Sequence, residues 1–102
     1  METFGNIIKN KREIKGLLLR QVASALDIDQ AIVSKFERGE RKASKEQVEK
    51  FAEFYDLDKN KLITSWLSDQ IANSILYEEN IGEVLKAAEE KAIYLKTIQD
   101  GN

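Results

Sequence analysis

The chain has 102 residues, enough to bury one modest core, and a net charge of −2. It contains no cysteine, no histidine and no proline. Thiol nucleophiles, imidazole bases, Cys/His zinc sites and disulfides are thereby excluded, so neither catalysis nor a cofactor is expected.

The segments read as helix throughout, with no run of alternating β-branched residues, and predict an all-α bundle. A first helix is expected from about Thr3 to Lys15, N-capped near Thr3, with Phe4, Ile7, Ile8 and Ile14 facing inward and Gly16 ending it. Leu17 then packs inward. In the stretch LRQVASALDIDQAIVSKFERG (Leu19 to Gly39), Leu19, Val22, Ala23 and Leu26 recur at helical spacing. Ile28, Ile32, Val33 and Phe36 do so again in the next segment. Asp27 suits the left-handed conformation that ends one helix, and Asp29 suits the N-cap of the next.

Two amphipathic helices this short gain stability only by burying their stripes against neighbours. Crossing through a tight turn, they form a helix-turn-helix. The second then exposes Gln30, Ala31, Ser34, Lys35 and Arg38, a polar and partly cationic face suited to a major groove. Gly39 to Ala43 reads as a loop, and Ser44 with Gln47 as a capping box for a fourth helix with stripe Val48, Phe51, Ala52 and Tyr55. Asp58 caps a fifth, in which Leu62, Ile63, Trp66, Leu67, Ile71 and Ile75 recur to about Leu76. Trp66 is expected in core or interface. Asn80 with Glu83 resembles a further capping box. It opens a charged helix with a narrow seam of Ile81, Val84, Leu85, Ala88, Ala92 and Leu95.

The charge is unevenly spread. Residues 1–45 carry ten Lys or Arg against six acids, whereas residues 46–102 carry six against twelve. A basic front and an acidic back fit a chain that meets nucleic acid at one end and protein at the other. No apolar run approaches the roughly 20 residues that span a bilayer, and METFGNIIKN has no signal-peptide core, so a cytoplasmic protein without membrane contact is expected.

Residues 4–67 resemble the Xre/Cro-type helix-turn-helix domain of phage repressors and related small bacterial regulators. The motifs that carry the likeness are FGNIIKNKR (Phe4 to Arg12), GLLLRQVASAL (Gly16 to Leu26), IDQAIVSKFERGER (Ile28 to Arg41) and LDKNKLI (Leu57 to Ile63). Ala23, Glu37 and Gly39 stand in family positions. The resemblance implies a five-helix, lambda-repressor-like DNA-binding domain over residues 1–67. It also implies an Arg12–Glu37 ion pair, and base contacts from Gln30, Ala31, Ser34 and Lys35. Arg20, Arg38, Arg41, Lys42 and Lys45 fall where such domains approach phosphates, contacts that position without reading sequence. Three residues depart from the pattern. Leu18 replaces a Ser or Thr N-cap, Asp27 a glycine of the turn, and Ala43 a frequent proline.

Residues 68–102 form a helical extension expected to dimerise the chain through Ile71, Ile75, Ile81, Val84, Leu85, Ala88, Ala92 and Leu95, because an apolar strip on a terminal helix marks an interface. Two recognition helices on a two-fold operator also supply affinity and site length together. The expected function is sequence-specific recognition of double-stranded DNA by a homodimeric transcriptional regulator of phage-repressor, antitoxin-like or restriction–modification controller type. The rival reading is a protein–protein adaptor, with an unidentified protein partner on the same helical domain.

Overall fold

Six helices account for the regular structure of the computed structural model, which describes residues 2–101. They are α1 (Phe4–Ile14), α2 (Leu19–Leu26), α3 (Gln30–Arg38), α4 (Lys45–Phe54), α5 (Lys59–Ile75) and α6 (Ile81–Asp100), with no strand among the described residues. The chain divides within α5 into two units, Met1–Ile71 and Ala72–Asn102.

In the first unit each helix begins where the local chemistry dictates. Thr3 is the N-cap of α1, its Oγ1 accepting from the Asn6 amide at 3.1 Å. Asp69 of α5 supplies a second acceptor there, taking the Phe4 amide at 2.8 Å and setting a carboxylate at the positive end of α1. Ser44 and Gln47 form the reciprocal capping box of α4, and the Asp58 carboxylate takes the Lys61 amide at the start of α5.

The apolar stripes then meet around Phe51. Its ring takes Phe4 and Phe36 edge-on at centroid distances of 5.8 and 6.2 Å and stacks on Tyr55 at 6.2 Å. Ile8, Val22, Val33 and Val48 are fully buried beside it. Trp66 packs against this cluster and donates its indole N–H to the Ala43 carbonyl at 2.9 Å, tying α5 to the loop before α4. Ile14 was expected inside but is 79% exposed. It lies on the last turn of α1, beyond the reach of the core cluster, where Arg12 takes over the contact with α3.

Gly5 marks the closest approach of two helices. A Cβ built on it would stand 2.6 Å from the Phe36 carbonyl oxygen and 2.7 Å from that of Glu37, so only glycine fits between α1 and the last turn of α3.

Tyr55 is buried, and its hydroxyl has no hydrogen-bond partner among the described residues. Burial, reinforced by the Glu37 charge and opposed by Arg12, pushes its phenol up from 10.0 to about 12. The folded state therefore keeps a proton that the unfolded chain releases at lower pH, and stability falls as pH rises from about 10 to about 12. Tyr55→Phe removes both that loss and an unpaired polar group whose burial is unfavourable by about 1–3 kcal/mol. The variant is expected to be about 1 kcal/mol more stable at neutral pH and to flatten the alkaline limb of a urea-midpoint profile. A variant less stable than the parent would show that the hydroxyl is paired.

The second unit comprises the end of α5, a turn and α6. Asn80, expected to cap α6 through its side chain, makes no such bond. Its ψ of 52° lies outside the extended region from which an N-cap side chain reaches the N2 or N3 amide. No residue of α6 is buried, and Ile81, Leu85, Leu95 and Ile98 are all exposed.

Candidate nucleic-acid interface

The supporting helix α2 starts without a side-chain cap at Leu18. Instead the Gln21 carboxamide oxygen accepts from the Leu18 amide at 2.7 Å. The amides of Leu19 and Arg20, in the first turn, have no intrahelical acceptor and are available to an anion. Ala23 is buried, and its small side chain lets α3 cross close by.

The turn closes as its residues dictate. Asp27 takes the left-handed conformation at φ 54°, and the Ile28 amide reaches back to the Ala23 carbonyl at 3.0 Å. Ile28 packs against the core, and the Asp29 carboxylate caps α3 by accepting from the Ala31 amide at 2.9 Å.

The two sides of α3 differ in kind. Val33, Phe36 and Glu37 are buried on its back, and Glu37 is the one buried charged side chain among the described residues. Arg12 meets it with a two-pronged ion pair, Nε to Oε2 at 2.8 Å and Nη2 to Oε1 at 3.0 Å. A third guanidinium donor, Nη1, reaches the Leu17 carbonyl at 3.1 Å. The hydrogen bond to Glu37 outweighs partial burial and holds the Arg12 guanidinium above its ordinary value, fully charged. The pair implied by the sequence resemblance is thus formed.

On the front of α3, Gln30, Ala31 and Lys35 are exposed and Ser34 is half-buried. Gln30, Ala31 and Ser34 line one open depression together with Leu19 and Asp29. Lys35 lies on the same helix outside that depression. The spacing of Leu19 marks it only as part of the buried stripe of α2. Its place in the depression follows from the crossing of the two helices, which no local pattern reveals.

Arg20 at the start of α2, Arg41 and Lys42 in the loop after α3, and Lys45 at the start of α4 are exposed. Arg38 is exposed as well, but its guanidinium is engaged. Nε donates to the Glu40 carboxylate, and Nη1 donates to the Ser34 hydroxyl. Gly39, in the left-handed conformation at φ 71°, turns the chain so that the Glu40 amide bonds the Lys35 carbonyl at 2.9 Å, which brings the Glu40 side chain back over α3.

A helix-turn-helix family model matches residues 8–62, more than half of the chain, running from within α1 to the start of α5 and taking in the whole α2–turn–α3 unit. The chain belongs to the Xre/Cro-type helix-turn-helix family. No curated protein matches it significantly. Members of this family are DNA-binding regulators of transcription, and in a helix-turn-helix the second helix is the one that enters the major groove. No helix among the described residues is long and apolar enough to cross a membrane.

Proposed function

We propose that this helix-turn-helix protein is a sequence-specific, homodimeric regulator of transcription in the cytoplasm, acting as a repressor or autoregulator on an inverted-repeat operator. The observation that carries the reading is the front of α3: Gln30, Ala31 and Ser34 line one open depression, and Lys35 is exposed on the same helix. Gln30 suits a bidentate contact with adenine, Lys35 a guanine acceptor, and Ala31 a thymine methyl group. Arg20, Arg41, Lys42 and Lys45 are the phosphate contacts in this reading, with the first amides of α2 between them.

The test separates reading from positioning on a duplex selected from a randomised pool. Lys42→Ala should weaken binding to selected and random duplexes alike and reduce the salt slope by about one, since a lost phosphate contact removes counterion release without touching sequence. Gln30→Ala should weaken binding to the selected duplex alone, by about 1–3 kcal/mol, and relax preference at one base pair per half-site. Lys35→Ala should behave like Gln30→Ala with some loss of salt dependence. A parent protein that shows no salt-dependent binding to any duplex in the pool would make the adaptor reading the better one.

The second copy is assigned to the end of α5 and to α6. Ile71, Ile81, Leu85 and Leu95 are exposed and Ile75 and Val84 half-buried, while Ala88 and Ala92 leave room for a close helix approach. Ile93, Tyr94 and Ile98, which the seam read from sequence omitted, add exposed apolar surface toward the end of α6. Leu85→Lys combined with Leu95→Lys replaces two exposed side chains. The double variant is therefore expected to stay folded, to sediment as a monomer and to lose operator affinity. An unchanged dimer would place the interface elsewhere.

A further inference from the structure

Arg38, which the resemblance assigns to phosphate, has its guanidinium held at two points. Arg38 stands one helical turn beyond Ser34, on the same face of α3. Its guanidinium is not swept out toward the margin of the domain but rests at the Ser34 hydroxyl, which itself lines the open depression with Gln30 and Ala31. The second anchor is Glu40, whose carboxylate accepts from Arg38 Nε. Glu40 reaches that position because the chain reverses at Gly39 and its own amide closes on the Lys35 carbonyl. An acid on a DNA-facing surface repels phosphate, so its presence there calls for a role other than attraction.

We infer that Arg38 is a base-reading residue and that Glu40 is its positioning residue. This rests on the proposed recognition of duplex DNA by α3. Of the five guanidinium donors, one is taken by Glu40 and one by Ser34, which leaves three for a partner. A planar fork anchored at the Ser34 hydroxyl and at Glu40, with donors remaining, suits the paired acceptors that guanine presents in the major groove. Glu40 lowers the general attraction for DNA and raises the discrimination between sequences. It does both through one side chain.

The experiment uses the full chain and two duplexes, the one selected from a randomised pool by the parent protein and a random duplex of equal length. Glu40→Ala is expected to bind the random duplex more tightly, because a negative charge is gone, yet to lose roughly tenfold or more of the preference for the selected duplex. Glu40→Gln, which keeps an acceptor for Nε, should retain most of the preference. Arg38→Ala should lose the preference to a similar extent, and Arg38→Lys should not restore it, since the fork is absent. Both side chains are more than half exposed, so the variants should melt like the parent. If Glu40→Ala tightens binding to both duplexes by the same factor, Glu40 merely repels DNA and the inference fails. An equal loss on both duplexes in Arg38→Ala would return Arg38 to the phosphates and overturn it as well. A parent that selects no duplex at all refutes the underlying recognition of DNA instead.

Discussion

Glu37→Ala is expected to destabilise the domain by about 3–5 kcal/mol, because it leaves the Arg12 guanidinium partly buried against α3 without its counter-charge. Domains of this kind have total stabilities of about 5–15 kcal/mol, so such a variant stands close to unfolding at ordinary temperature. Arg12→Ala should be similarly damaging from the other side, and it also strands the Leu17 carbonyl that Nη1 satisfies. The double variant should lose far less than the two single losses added together, since the second truncation removes the charge that the first left alone. Urea unfolding of the four proteins measures this. Small additive losses, below about 0.5 kcal/mol each, would mean that the pair behaves as an exposed one and does not join α1 to α3.

Gly5→Ala sets two effects of opposite sign against each other. In an isolated helix alanine is better than glycine by about 1 kcal/mol. Here the new methyl would meet two backbone carbonyl oxygens at 2.6 and 2.7 Å, and neither belongs to a side chain that could swing away. Overpacking of this sort commonly costs about 1–3 kcal/mol, and more where the obstacle is helix backbone. The steric term should therefore win, with a net loss on the order of 2 kcal/mol or more. A shift of α3 relative to α1 should accompany it and appear as weaker DNA binding by the fraction that remains folded. A stabilised variant would show that the two helices do not touch at this point.

Most of the first unit was legible in the sequence because its signals are local. Thr3, Asp27, Asp29, Gly39, Ser44 with Gln47, and Asp58 all act on amides or carbonyls a few residues away, so their effect can be read from spacing. The front of α3 was legible for the same reason, since its apolar stripe fixes which residues face out. Gly5 was not, because a glycine near a helix start looks the same whether it faces solvent or a carbonyl thirty residues further on. Asp69 likewise carries no sign in the sequence that it will serve α1 from α5. Ile14 misled because periodicity extends the inner stripe to the end of a helix even where the core has stopped. At Arg38 the sequence supplied charge and exposure, but not the fold-back at Gly39 that joins it to Glu40.

The division of α3 into a buried back and an exposed front bears on how such a protein changes over generations. Apart from the Asp29 cap, what holds the helix in place is on one side: Val33 and Phe36 in the core, Glu37 on Arg12, and the last-turn carbonyls against Gly5. Of the residues on the other side, Gln30, Ala31 and Lys35 make no tertiary contact that the core depends on, and exposed positions of this sort tolerate substitution within about 0.5 kcal/mol. A lineage can therefore exchange the exposed residues of this front almost freely while the scaffold stays intact. On the proposed reading, new operators become reachable by single steps through folded intermediates, and duplicated copies of the chain can diverge in target without first losing their shape.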